Sequence, residues 1–356
     1  MAAPMTPPPI ITTSAVLGAM GRPSTQRAKT EGKTLGKYPL VSTREPSPYH
    51  GVRPFTTKLD PKIEIGSRSG VCFMGKGFAA VMIGAAGALA AGGVPLASTA
   101  QAAGPTLAPH EAVYALSLAR ATPGGVVNAR GEMNYKLENT CAGWTMETRT
   151  TLDLTYAEGG EMATQWEFVA YESKDGGDYS FFVRNKRNGE VDEVLEGSAA
   201  LAGQPPKGEA SFHKPENDVV PLPAGTLFPS AHTLDILRAA ERGERYLSRT
   251  VFDGASEEGP SLVTAFIGPP LPAGAEATKG LSGPVSNEAG KALLNTPSWR
   301  MTIAFFPPDD REDLPNYEVR VRYHDNGVAQ EMVQDFGFFS LRTLLKDIKP
   351  LPEPDC

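Results

Sequence analysis

The stretch Trp144–Tyr156, WTMETRTTLDLTY, decides the fold class of this chain. Side chains of a β-strand point alternately to its two faces, so a sustained alternation of larger and polar residues predicts a strand with one buried face. A strand of this length with one wet face is typical of a large antiparallel sheet. The predicted inner face consists of Trp144, Met146, Thr148, Thr150, Leu152, Leu154 and Tyr156.

The chain after residue 108 repeats this pattern between glycine-containing turns. Pairs such as Asn188-Gly189 and Asn326-Gly327 are typical of tight hairpins. We therefore predict an all-β domain with about twelve to fourteen antiparallel strands, following one another along the chain. A sheet of that size curls or closes, because free edges pair with other chains. The expected architecture is an open, barrel-like curled sheet, or β-spiral, with a cavity.

One segment has helical periodicity. Ser230 is the predicted N-cap, and the residues Ala231–Arg242 carry an apolar stripe before Gly243 ends the helix. We expect this helix to clasp the concave side of the sheet. Its predicted contact residues are Leu234, Leu237 and Ala240. The Pro-, Gly- and Ala-rich stretch Gly268–Pro297 predicts a long surface loop.

Charge divides the chain into unlike parts. Residues 1–73 carry ten basic and four acidic side chains, whereas residues 103–356 have a net charge of −14. The first part is rich in Pro, Ser and Thr and lacks periodicity, so it is either a disordered basic extension or a non-native segment upstream of a start at Met74. The acidic remainder argues against nucleic acid as a partner.

Residues 74–102 have the three parts of a secretory signal peptide. Lys76 provides a positive start, the stretch Phe78–Ala91 is apolar, and Ala100 and Ala102 put small residues at −3 and −1 of a cleavage point. The alternative is a membrane anchor, but the stretch is short, and Gly and Ala dominate it. We expect cleavage after Ala102 and export to the periplasm, with residues 103–356 forming a single domain.

The cysteines fit an exported chain. Three are present, and Cys72 would be lost with the leader. The remaining pair, Cys141 and Cys356, is most economically one disulfide; two inert thiols are the alternative.

Residues 103–356 contain no catalytic or phosphate-binding motif that we recognise. The four histidines of this region are scattered, and the acidic cluster of residues 309–313 lacks the spacing of a calcium loop. We therefore expect no enzymatic activity, no metal and no cofactor. A hydrolase acting through carboxylates such as Glu147 and Asp153 is the weakest alternative, because both lie on the predicted wet face of one strand.

Five aromatic residues on predicted inward faces are the candidate cavity or core residues. They either form ordinary core or line a groove for an apolar or peptide ligand. These residues are Trp144, Trp166, Phe181, Trp299 and Phe305.

Several segments together resemble a known family. They are APHEAVYALSL (108–118), LENTCAGWTMETR (137–149), LFPSAHTLDIL (227–237), VFDG (251–254) and the terminal Cys356. In combination they resemble the EipB family of alphaproteobacterial cell envelope integrity proteins, over roughly residues 105–356. The resemblance implies a periplasmic β-spiral of about fourteen strands clasped by a helix, and a disulfide between Cys141 and Cys356. It also implies a role in envelope stability under detergent and cell-wall stress, without known enzymatic activity.

The leading hypothesis is therefore a periplasmic, non-enzymatic protein that maintains envelope integrity and stress resistance by binding a peptide or protein in or near the cavity. A carrier of lipids or lipoproteins is the alternative. We expect no nucleic acid partner, a peripheral relation to the membrane at most, and a monomer or weak dimer.

Overall fold

The computed structural model describes residues 105–306 and 314–356. The predicted signal peptide, the upstream extension and the acidic cluster at 309–313 lie outside these residues. Fourteen strands are present among the described residues: β1 (His110–Ala121), β2 (Val126–Asn139), β3 (Gly143–Tyr156), β4 (Glu161–Ser173), β5 (Asp178–Arg187), β6 (Glu190–Ala202), β7 (Lys207–Lys214), β8 (Asp218–Leu222), β9 (Tyr246–Val251), β10 (Ser261–Leu271), β11 (Ser298–Phe306), β12 (Tyr317–His324), β13 (Ala329–Asp335) and β14 (Phe339–Pro350). Two helices accompany them: α1 (Pro229–Glu241) and α2 (Glu288–Leu294).

All fourteen strands belong to one antiparallel sheet, which confirms the predicted fold class. Its order is β8-β7-β6-β5-β4-β3-β2-β1-β14-β13-β12-β11-β10-β9. Neighbours in the sheet are neighbours along the chain, except where β1 pairs with β14 and joins the two ends of the domain. The edge strands β8 and β9 are not paired with each other, so the curled sheet stays unclosed.

The alternating residues of β3 are buried on one face of the strand and exposed on the other, as predicted. Trp144, Met146 and Leu152 are buried, whereas Glu147 and Asp153 are exposed on the opposite face. The same alternation recurs along the other strands, so their inward faces merge into one core of apolar side chains. A single long hydrophobic face therefore holds the whole sheet together.

The predicted glycine turns connect strands as expected. Asn188 and Gly189, between β5 and β6, both have positive φ (51° and 86°). A type I′ turn requires this conformation at both central residues, which Asn and Gly adopt at low cost. The Asn326-Gly327 pair likewise separates β12 from β13.

Helix α1 is present, but its N-terminal cap differs from the prediction. The N-cap is Phe228, which offers no side-chain acceptor, and Ser230 lies inside the first turn after Pro229. Just before the helix, Leu227 pairs in parallel with Val251 of the edge strand β9. The helix packs on β9 and β10. The edge strand is therefore partly covered by the segment that leads into α1.

The prediction of a long surface loop over Gly268–Pro297 is wrong in part. Strand β10 extends to Leu271, and α2 occupies seven of these residues, with Asn287 accepting the backbone N–H of Gly290 as its N-cap. The buried Arg322 of β12 donates to the backbone oxygens of Ala275 and Glu276. The segment is thus tied to the sheet. Neither described helix is long and apolar enough to cross a membrane.

Candidate functional site

The five candidate aromatic residues are all buried, at 2–8% exposure. Phe181 lies edge-on to Phe212 and Phe252, with ring centroids 5.2 and 5.8 Å away. Trp166 stacks on Phe168, and Phe305 packs against Tyr317. Trp299 is part of the same hydrophobic core. These four side chains pack in the core, and Trp144 is the member of the set that also lines a described pocket.

The apolar stripe of α1 is wider than predicted. Leu237 and Ala240 are buried, but Leu234 is half-buried and lies at the border between the core and the surface. The buried face of the helix also includes His232, Thr233, Ile236 and Ala239. Leu234 is therefore the member of the predicted stripe that a ligand could reach.

The first turn of α1 is capped from a distant strand. Glu172, near the end of β4, accepts the backbone N–H of Ser230 at 2.6 Å and that of Ala231 at 2.8 Å. These amides have no partner within the helix, and the positive end of the helix dipole favours a carboxylate there. Glu172 thus replaces the cap that Phe228 cannot supply, and it joins α1 to the first half of the sheet.

A second contact reinforces this junction. Tyr179 of β5 stacks on Phe228 at 4.8 Å and donates its hydroxyl to the backbone oxygen of Asp253 at 2.8 Å. Gly254, with φ of 71°, follows in close contact with the Phe181 ring, where a Cβ would collide with it. The segments 227–237 and 251–254, which carried the family resemblance, therefore meet at one buried junction.

Burial shifts the pKa values of the acids and of the histidine at this junction. Burial raises the pKa of Glu172 to about 7, outweighing the two amide donors. Burial likewise raises the pKa of Asp253 to about 7. The pKa of His232 is lowered to about 3, by burial first and by the positive charge of Arg249 second. His232 is therefore neutral at any physiological pH.

Beside this junction lies an open pocket of about 370 Å³, which we call the α1 pocket. It lies between the outer flank of α1, the ends of β3 and β4 with the turn that follows, and the loops before β7 and α1. Its lining residues are Trp144, Glu172, Ser173, Lys174, Asp175, Gly176, Pro206, Gly225, Leu227, Ala231, Leu234, Asp235, Arg238 and Arg249. Two residues predicted separately, Trp144 and Leu234, thus line one pocket.

The rim of the α1 pocket carries charges of both signs. Lys174 holds its ammonium 3.8 Å from the Trp144 ring centroid, a cation–π contact. Arg249 forms an ion pair with Asp235 at 2.7 Å. Arg238 is exposed at the far end of the pocket. An apolar floor with fixed charges around it is suited to a peptide segment.

The cysteine pair lies next to this pocket. In the structure Cys141, in the β2–β3 turn, is bonded to Cys356, with the Cα atoms 5.7 Å apart. The tail that Cys356 anchors brings Glu353 into hydrogen-bond contact with Asn139, whose side-chain oxygen accepts from Lys174 at 2.5 Å. The disulfide therefore fixes a chain of contacts that ends at the pocket rim.

The carboxylates of the hydrolase alternative, Glu147 and Asp153, are exposed on the outer face of β3. Among the described residues, no three His, Cys, Asp or Glu side chains are grouped closely enough to hold a metal ion. Sequence reasoning did not identify Glu172 or Lys174. The sequence held no signal for a distant acceptor, because Ser230 looked like a sufficient N-cap.

The described residues form a curled, unclosed antiparallel sheet of fourteen strands, and helix α1 contacts both halves of this sheet. This architecture is that of a barrel-like all-β protein with a surface pocket. The family model described as EipB-like matches residues 101–352, so the chain belongs to the EipB-like family.

Two comparisons agree with this assignment. The cell envelope integrity protein EipB of Brucella abortus (strain 2308) is 29% identical over 241 residues, which span 66% of this chain and 81% of the relative. The crystal structure of a beta-barrel-like protein of a domain of unknown function, also from Brucella abortus, matches with a TM-score of 0.60 and 26% identity. That match covers 70% of this chain and all of the other. The predicted family is thereby confirmed.

Proposed function

We propose that this protein acts in the periplasm as a non-enzymatic binding protein that maintains cell envelope integrity and stress resistance, and that the α1 pocket holds a segment of a peptide or protein partner. The observation that carries the pocket assignment is the meeting of Trp144 and Leu234 beside a helix fixed by Glu172. The envelope role rests on the name of the relative from Brucella abortus.

The physical character of the pocket supports a peptide over a lipid. The apolar surface that the pocket offers is small, and it is bounded by Lys174, Asp235, Arg238 and Arg249. An extended acyl chain needs a longer apolar channel, whereas one apolar side chain with charged neighbours matches this lining. The inward aromatic residues, among them Trp166 and Phe181, already contact one another.

Site-specific crosslinking tests the pocket assignment. A photoreactive amino acid at position 234 should crosslink to a partner in intact cells, and the same group at Val191 should not. Val191 is a matched control, since it is 58% exposed and lies on β6, away from the pocket. Equal adducts at both positions, or none at position 234, would contradict the proposal.

A growth assay tests whether the pocket matters. Leu234→Glu should fail to restore detergent resistance to a strain lacking the gene, while Val191→Glu should restore it. The amount of Leu234→Glu protein should match the wild type, and its melting temperature should stay well above the growth temperature, so that a loss of resistance is not a loss of folded protein. Mass spectrometry of the purified protein separates the alternatives, because a bound lipid would favour the carrier function.

Export is part of the proposal and has its own test. Intact-mass measurement of protein from the periplasmic fraction should place the mature N-terminus at or near Ala103. Retention of residues 1–73 in that fraction would refute both the proposed start site and the proposed cleavage.

A further inference from the structure

A second groove, on the outer face of β10 to β13, has a different chemistry from the α1 pocket. Its volume is about 470 Å³. Four arginines and one carboxylate are among its lining residues, and we call it the arginine groove. The charged members are Arg245, Arg300, Arg320, Arg322 and Glu331. Such a density of guanidinium groups is unusual on a domain whose net charge is −14.

The arginines differ in how they are held. Arg322 is buried and tied to the backbone of Ala275 and Glu276, while Arg300 pairs with the Glu276 carboxylate. Arg245 and Arg320 are exposed, and neither forms an ion pair or a side-chain hydrogen bond with the described residues. Two guanidinium groups are thus available to an anionic ligand beside two that shape the groove.

An exposed apolar cluster adjoins these arginines. Phe266 is 56% exposed and Tyr246 is 52% exposed, and their ring centroids are 5.2 Å apart. Leu262, four residues before Phe266 on β10, is 44% exposed. One row of directly paired residues crosses β9, β10, β11 and β12. It consists of Tyr246, Phe266, Thr302 and Arg320. The aromatic rings and the Arg320 side chain therefore lie on one rung and one face of the sheet.

The same rung continues across the sheet with more arginines. Arg320 pairs with Val333, Val333 with Arg342, Arg342 with Ser117, and Ser117 with Arg130. Arg342 and Arg130 are exposed. Arginines therefore recur on every second strand, about 10 Å apart.

Several carboxylates of this face are already engaged by other side chains. Glu276 is bound by Arg300 and Lys279, Asp335 by Arg120, and Glu132 by Lys346. Glu318 and Glu331 remain on the face, and Asp153 lies beside Arg130 at the far end of the rung. Guanidinium groups near half-exposed aromatic rings match the interface of an anionic membrane, where the rings enter the headgroup layer and the arginines bind phosphates.

We propose that the arginine groove and the adjoining Tyr246–Phe266 pair bind the phosphate headgroups of anionic phospholipids, holding the protein against a membrane surface. This site is separate from the α1 pocket, so either assignment can fail without the other. The proposal commits to a membrane surface; an acidic protein is the competing occupant.

Vesicle cosedimentation tests this proposal with the mature protein purified from the periplasmic fraction, which lacks the basic residues of the 1–73 segment. The protein should bind vesicles made of equal parts phosphatidylcholine and phosphatidylglycerol, and this binding should weaken as salt is raised. The double variant Arg245→Ala/Arg320→Ala should bind about 25-fold more weakly, since each basic residue near an anionic surface contributes about five-fold. Vesicles of phosphatidylcholine alone measure any binding that does not depend on anionic headgroups.

The matched control removes two positive charges elsewhere. Arg149→Ala/Lys207→Ala has the same net charge as the test variant but changes β3 and β7. It should retain binding. A second variant, Phe266→Ser, should also weaken binding, because it removes the apolar contact but no charge. Equal losses in the test and control double variants would overturn the proposal. Failure of the wild type to bind the anionic vesicles would do the same and would favour the acidic protein.

Discussion

Glu172 and Ser230 are 58 residues apart in the chain, yet the Glu172 carboxylate accepts the Ser230 backbone N–H at 2.6 Å in a buried site. This contact caps the first turn of α1 and links the helix to β4. The same side chain lies at the inner wall of the α1 pocket. This long-range cap therefore helps to position the pocket lining, together with the stacking of Tyr179 on Phe228.

Replacing Glu172 by alanine should destabilise the fold. One buried and one part-buried amide would lose their acceptor, and each orphaned group costs about 1–3 kcal/mol, so the expected loss is about 2–6 kcal/mol at pH 5, where Glu172 still contributes. Urea unfolding followed by tryptophan fluorescence measures it. Glu147→Ala is the control: this carboxylate is exposed on β3, and its removal should change the unfolding free energy by less than about 0.5 kcal/mol. Similar values for the two variants would show that Glu172 does not cap the helix.

The raised pKa of Glu172 predicts a pH dependence. The pKa of this carboxyl is about 7 in the folded chain against an ordinary value of 4.5, so between these values the folded state holds a proton that the unfolded state has lost. The contribution of Glu172 to stability is therefore fully present below about pH 4.5 and is lost as the pH rises through 7. The loss is about 1.4 kcal/mol per pH unit within that window.

Glu172→Gln isolates this contribution, because other buried groups titrate alike in both proteins. The unfolding free energy of the wild type minus that of the variant should fall by about 3 kcal/mol between pH 4.5 and pH 7.5. The comparison removes the opposing effect of His232, whose pKa is lowered and which destabilises the fold as the pH drops below 6.5. A difference that does not vary with pH would show that the pKa of Glu172 is not raised.

Much of the fold could be predicted from the sequence because it depends on short-range patterns. The alternation in Trp144–Tyr156 is a property of neighbouring residues, and so is the turn at Asn188-Gly189. Helix α1 was predictable for the same reason, apart from its cap. Each of these elements is specified within one turn or one strand.

The features that the sequence did not reveal depend on contacts between distant segments. Arg322 looks like a solvent-facing residue of the alternating strand YEVRVRYH, yet residues 275–276 cover it. Trp144 and Trp166 have the same inward pattern, but only the packing around them shows which of the two reaches a pocket. Nothing local to Glu172 indicates that a helix begins 58 residues later.

The two leucines of α1 should differ in their effect on stability. Leu237 is fully buried, so Leu237→Ala should cost about 2–5 kcal/mol, and Leu237→Asp should cost more because it also buries an unpaired charge. Leu234 is half-buried, so Leu234→Ala should cost about half as much or less. Thermal and urea unfolding measure both. If Leu237→Ala left stability unchanged while stress resistance disappeared, α1 would be a surface recognition element and not a clasp.

The disulfide between Cys141 and Cys356 should be present in the native protein. Protein from the periplasm should show no free thiol at either position when it is labelled under denaturing conditions without reductant. Cys356→Ser should release the residues after Leu351, because Leu351 is held by the backbone oxygen of Pro109, whereas Glu353 contacts Asn139 through its side chain. Closing a loop of 215 residues constrains the unfolded chain, so removing the bond should cost about 5 kcal/mol at most.

The double variant Cys141→Ser/Cys356→Ser should lose no more stability than the single variant, since both lack the same bond. Two labelled thiols in native material, or a single variant as stable as the wild type, would refute the view that this bond fastens the C-terminus beside the α1 pocket.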